Sequence, residues 1–265
     1  MKTDWYLWLI AIGLSAVVQG CGNVQKNVQA DLVVVEQIDS IQGCHEENNY
    51  SWASFNVDVP VSGPQYLVDS VMTLVNREVY KMCEYCIEFV DSPEEYVAFS
   101  EKEMFTRDGK QLLSHYMEKY KPLIADSLWN TFNLELKMEA QTEKFVTYGW
   151  EFTHCGGSCG SEKCYYTFDK TDGHLVREII THQNLVRFFE DHPEYKTLKE
   201  DPWTGMPGWE FSADDVFENS MYGILGDHFT LVINEVVNHY LLQEIPYSEI
   251  SSYLTPEAQA LVGVE

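Results

Sequence analysis

Cysteine brings the most reactive chemistry to this chain, and six cysteines sit at suggestive positions: Cys44, Cys83, Cys86, Cys155, Cys159 and Cys164. Cys83-Glu-Tyr-Cys86 has the spacing of a dithiol redox pair, a chemistry that needs the first thiol at a helix start, where the dipole lowers its pKa. Apolar residues at helical spacing precede this pair, so it falls near a helix end and the redox reading is disfavoured. His154, Cys155, Cys159 and Cys164 offer four zinc donors, but structural zinc prefers paired short spacings, and no metal or other cofactor is expected. Gly156-Gly-Ser158-Cys-Gly160 matches the G-x-S-x-G pattern of a nucleophile elbow, which requires a helix directly afterwards. An aromatic, strand-like run follows instead, and no complete catalytic motif is present. What remains is disulfide chemistry. Six cysteines allow about fifteen pairings, and a bridge inside the Cys155 to Cys164 cluster would staple a hairpin.

The elements that must position these residues follow from periodicity. Residues 32–38 and 50–61 read as strands, and Pro60 and Gly63-Pro64 end the second. Leu67, Val71, Leu74, Val75 and Val79 recur on one helix face, with Pro64 near the start, where a missing N–H costs nothing. Ser92-Pro93-Glu94-Glu95 reads as a capped helix start, and residues 110–130 as a further helix carrying Pro122. Residues 132–152 read as strands with a turn over 139–143, and residues 164–168 extend them across a glycine loop. Thr171-Asp172-Gly173 is a turn, and residues 184–189 form a short helix. Residues 221–224, 229–237 and 240–245 are strands, and 248–254 and 256–261 are closing helical turns. The expected class is α+β: an antiparallel sheet packed by helices, in two closely associated subdomains, 32–131 and 132–265.

The first residues carry an address. Lys2 precedes an apolar run, 5–18, too short to span a bilayer, which marks an export signal. Its ending, Val18-Gln19-Gly20-Cys21, resembles the lipobox of bacterial lipoproteins. That resemblance implies removal of 1–20, a lipid on Cys21, a tether over 21–31, and a membrane-anchored place in the cell envelope facing periplasm or exterior. An oxidising envelope suits disulfides. Only four residues precede Trp5, which leaves no cytoplasmic segment for signalling inward.

Forty-two acids against 17 Lys and Arg give a formal charge of −25, which removal of Lys2 and Asp4 with the leader leaves unchanged. Nucleic acid and anionic membrane surfaces are excluded as partners, since both need clustered bases. A cationic partner would be attracted.

Val57-Asp-Val-Pro-Val-Ser-Gly63, followed by a helix containing Val75-Asn76, resembles the opening of the extracytoplasmic module shared by RsiV-type proteins and the non-catalytic region of PdaC-type deacetylases. Tyr165-Tyr-Thr-Phe-Asp-Lys-Thr-Asp-Gly173 and Ile245-Pro-Tyr-Ser-Glu-Ile250 resemble its C-terminal companion. The resemblance implies a PdaC-like first subdomain, an RsiV-like second one, and a non-enzymatic binding role, with a cationic protein such as lysozyme as partner. Thr167-Phe168-Asp169 echoes the deacetylase TFDDGP motif, but Lys170 replaces its second acid and no H-x-x-x-H pair exists, so the catalytic reading is rejected. Trp203 and Trp209, in the Pro- and Gly-broken stretch 201–209, are candidate binding residues for a glycan or peptide. An envelope glycan hydrolase is the remaining alternative.

Overall fold

The computed structural model describes residues 30–44, 50–86, 104–128, 130–196, 210, 212–214, 222–236 and 239–263. The leader, Cys21, the helix start expected at Ser92, and Trp203 and Trp209 lie outside these residues, as does the side chain of Cys44.

β1 (Val33–Cys44) and β2 (Tyr50–Ser62) form an antiparallel pair. The chain then enters α1 (Gln65–Tyr85), with Pro64 at its N-cap, and Leu67, Val71, Leu74, Val75 and Val79 are all buried. α2 (Leu112–Ser127) keeps Pro122 inside the helix. β3 (Thr131–Gln141), β4 (Phe145–Cys155), β5 (Cys159–Asp169) and β6 (Leu175–Val176) complete a six-stranded sheet in sequence order. The α+β class stands as expected. The sheet is antiparallel except at β2 and β3, which pair in parallel from Trp52 with Thr131 to Val57 with Leu136. Among the described residues α1 and α2 intervene between those strands, and the chain returns to the end from which β2 started, as a parallel pairing requires. The expected boundary at 131/132 therefore falls inside one sheet, and a single core containing Phe55, Val57, Leu134 and Tyr148 spans it.

A second unit holds β7 (Tyr222–Ile224), β8 (His228–Val236) and β9 (His239–Pro246) in an antiparallel three-stranded sheet. It packs with α3 (His182–Asp191), α4 (Tyr247–Ile250) and α5 (Pro256–Val262) around Phe188, Phe229, Ile245 and Leu254. Thr181 and Thr255 cap α3 and α5 by accepting from Asn184 N and Ala258 N. The two units meet at the β4–β5 hairpin. The buried Thr147 hydroxyl donates to Ile224 O at 2.7 Å and shares a hydrogen bond with Thr167. Asn234 accepts from Lys163 N and donates to Lys163 O.

Two polar clamps hold the first unit. Asn76, buried in α1, donates to Thr106 O and accepts from Thr106 N and, at 2.9 Å, from the Tyr116 hydroxyl of α2. Lys170 is fully buried after β5, and its ammonium donates to Asp31 Oδ1 at 2.8 Å and Thr142 O at 3.0 Å. Tyr66 of α1 donates to the Lys170 carbonyl. Gly173 then reverses the chain at φ 80°, where a Cβ would meet Tyr66 and Leu67. Among the described residues no helix is long and apolar enough to cross a membrane.

Candidate functional site

The cysteines divide by position. Cys155 and Cys159 lie directly opposite each other at the tip of the β4–β5 hairpin and are bonded, so the expected staple forms, across a loop of only residues 156–158. That hairpin also removes the elbow reading, since β5 rather than a helix follows Ser158. The bond takes two of the four zinc donors, and alternation along β4 turns His154 to the opposite face from Cys155. Cys83 and Cys164 are not bridged, which corrects the expectation that each joins a disulfide. Burial raises the Cys83 thiol well above its ordinary value and pushes Cys86 and Cys164 up to about 12. Cys83 lies in the last turn of α1 and Cys86 caps its C-terminus, where the dipole disfavours a thiolate. These are structural thiols.

One face of the six-stranded sheet is covered by α1 and α2; the other is open over β1 to β3 among the described residues. Strand alternation and register assemble the open face in rows. The first row runs from Trp52 through Thr131 to the Cys155–Cys159 bridge. The next holds Ser54, Asn133 and Thr153, and after it come Ile38, Asn56, Glu135, Glu151 and Lys163, then Glu36, Asp58 and Lys137. Trp52 is 44% exposed and Ile38 67%, the two apolar groups on an otherwise polar surface. Lys137 bonds Glu36, Asn56 and Asp58, while Lys163 bonds Glu139 at 2.6 Å and lies 3.8 Å from Glu151. Glu139 lies over Gly149, whose missing side chain leaves it the space. Five carboxylates against two lysines leave this face acidic. Tyr240 of β9 borders it, hydrogen-bonded to Glu151, and burial first and that carboxylate second raise its pKa.

On the helix-covered face, α1 stops at Tyr85 before the sheet does. Beyond it Trp150, Phe152 and His154, at alternate positions of β4, form a ladder of rings. Phe132 stacks on Phe152 at 6.1 Å, and Tyr85 meets both edge-on at 5.5 Å. A cleft of about 390 Å³ opens here, lined also by Glu78, Lys81, Glu162 and Tyr166.

No family model matches the chain, and no curated protein matches it. Two solved structures that resemble it are of DUF3298 family proteins. One, from Pseudomonas aeruginosa PAO1, is 10% identical, with a TM-score of 0.49 over 87% of this chain and 98% of that one. A second, from Bacteroides fragilis, is 15% identical, with a TM-score of 0.48 over 91% of this chain and 100% of that one. Likeness at this level concerns the fold alone.

Several histidines that look scattered in sequence are paired with acids in space: His174 with Asp172 and Glu257, His182 with Asp214, and His228 with Asp227. His192, Glu194 and Glu249 bring donor atoms within 4.8 Å of one another, one donor short of a structural zinc set, and Glu249 already accepts from Tyr195. The residues of the open face escaped sequence reasoning, although Ser54, Asn56 and Asp58, and Asn133, Glu135 and Lys137, recur with the period of a solvated strand face. The ring ladder Trp150, Phe152 and His154 carried the same period-two signal.

Proposed function

We propose that this chain is a non-enzymatic binding module, held in the cell envelope by a lipid on Cys21, whose open acidic sheet face receives a cationic protein surface. Lysozyme, or a protein of its cationic kind, is the specific partner. The observation that carries this reading is the acidic face itself. Glu36, Asp58, Glu135, Glu139 and Glu151 converge on one surface, with Trp52 and Ile38 exposed among them as apolar anchors. Complementary charge steers such an encounter, and a desolvated aromatic supplies its affinity. Against a hydrolase, the acids brought together on this face are engaged by lysines, Glu139 and Glu151 by Lys163 and Glu36 and Asp58 by Lys137, rather than set across an empty space.

Calorimetric titration with lysozyme tests the reading. Affinity should fall as salt rises from about 0.05 to 0.5 M, and the double variant Glu36→Gln/Glu135→Gln should bind about fivefold more weakly, as expected for two rim charges. Equal binding by variant and wild type would remove this face as the receptor. The anchor is tested separately: Cys21→Ser should move the protein from the membrane fraction to the soluble one.

A further inference from the structure

We propose that the cleft beyond the end of α1 is a second binding site, which takes the ring of a neutral saccharide. This inference does not depend on the acidic face and uses the opposite side of the sheet. Its wall is aromatic: Tyr85 is 46% exposed and leans edge-on over the buried rings of Phe132 and Phe152, with the half-buried Trp150 and His154 flanking them along β4. The exposed Tyr85 ring and the partly exposed Trp150 and His154 rings, backed by the two buried phenylalanines, offer a surface to the C–H face of a pyranose.

Polar groups stand around that wall in the number a sugar needs. Glu162 projects from β5 and enters no ion pair among the described residues, so both its oxygens are available to a pair of vicinal hydroxyls. Lys81, half-exposed, presents an ammonium that also lies 3.6 Å from Glu78. His154 Nδ1 is buried in the wall and has no hydrogen-bond partner among the described residues. A buried polar atom left unpaired is costly, and a ligand hydroxyl would satisfy it.

Charge selects the neutral ligand. Glu78 is buried and matched by Arg77 at 2.8 Å and by Lys81, and Arg77 also lies over the Tyr166 ring. The cleft is thus close to electrically balanced while the chain as a whole carries −25. An anionic ligand would meet Glu162 unscreened, and a cationic one would find the larger excess of acids on the other face of the sheet.

The test is heteronuclear NMR titration of the whole exported chain, residues 21–265, with three neutral probes: N-acetylated chitotriose, cellotriose and maltotriose. At least one should shift the Trp150 indole signal, identified by its loss in Trp150→Phe, and 0.5 M salt should leave the shift unchanged. Tyr85→Ala should weaken that binding about tenfold, and Glu162→Gln, at an exposed site that cannot unfold the protein, about threefold. Trp52→Ala, on the opposite face, should leave it unaltered. Absence of a shift with all three probes, wild-type affinity in both cleft variants, or binding abolished by salt would each overturn the proposal. None of these outcomes bears on lysozyme binding, which is read through Glu36 and Glu135.

Discussion

The two faces of the six-stranded sheet are built from the same strands and differ at every alternate residue. On the helix side β2 presents Ala53, Phe55, Val57 and Val59, all buried; on the open side the same strand presents Trp52, Ser54, Asn56 and Asp58. The covered face gains stability from apolar area withdrawn from water, and buried Asn76 of the helix packed on it is fully bonded. The open face withdraws little, and its polar groups bond sideways to one another: Ser54 to Asn133, Asn133 to Glu135, Lys137 to Asp58. One surface therefore holds the fold together, while the other can change composition at small cost to stability and is available for recognition.

That contrast can be broken or sharpened by substitution. Asn76→Ala, on the covered side, removes bonds to Thr106 and Tyr116 and leaves buried groups unpaired, at a cost of about 3 kcal/mol. Thermal unfolding should show a Tm lower by roughly 6–12 °C. Replacing Cys155 and Cys159 by serine opens a very short loop at the rim where both faces end, and should cost about 2 kcal/mol in denaturant unfolding. Asn133→Ala, in the middle of the open face, should cost less than about 1 kcal/mol; a cost near that of Asn76 would mean that something covers this surface. The smallest effect is expected at His174, which touches neither face and ties the turn after β5 to α5. Its pKa is raised by hydrogen bonds to Asp172 and then Glu257. The stabilisation it provides is thus complete below about pH 6.5, the unfolded value, and is lost as pH rises through the higher folded value. The Asp172 pKa is lowered, chiefly by the backbone N–H of His174, so its own contribution is lost only in acid. His174→Gln should reduce Tm more at pH 6 than at pH 8, and a reduction equal at both would remove the charge pairing from the account.

The helices and turns were the most legible parts of the chain, because their signals are local. Pro64 before five apolar residues at helical spacing gave α1, and Thr171-Asp172-Gly173 gave the turn that Gly173 makes in a left-handed conformation. Asn76 stood out as one letter of a resemblance, and its bonds to Thr106 and Tyr116 give that letter a physical reason. Strand partners were not legible. Alternation states which residues of β3 share a face, but not that β3 pairs in parallel with β2 across an intervening helical stretch, so the boundary at 131/132 cut one sheet in two. The candidate sites suffered more. Glu36, Glu135 and Glu151 are separated by as many as 115 positions and meet only because the strands align, whereas the cysteines drew attention by type, and those at 83 and 86 proved to be buried packing groups and that at 164 a half-buried one.

Lys170 and Asp31 have a geometric corollary at the scale of the whole molecule. Their ion pair fastens the start of the folded body beside the 142–144 turn, at one end of the β4–β5 hairpin. The Cys155–Cys159 bridge closes the other end, which an eleven-residue strand sets roughly 33 Å away. If Cys21 is acylated, residues 22–30 can add at most about 30 Å between the bilayer and the clamp. The attachment would then enter the module at its 142–144 end, with Trp52, the disulfide and the aromatic cleft toward the opposite end.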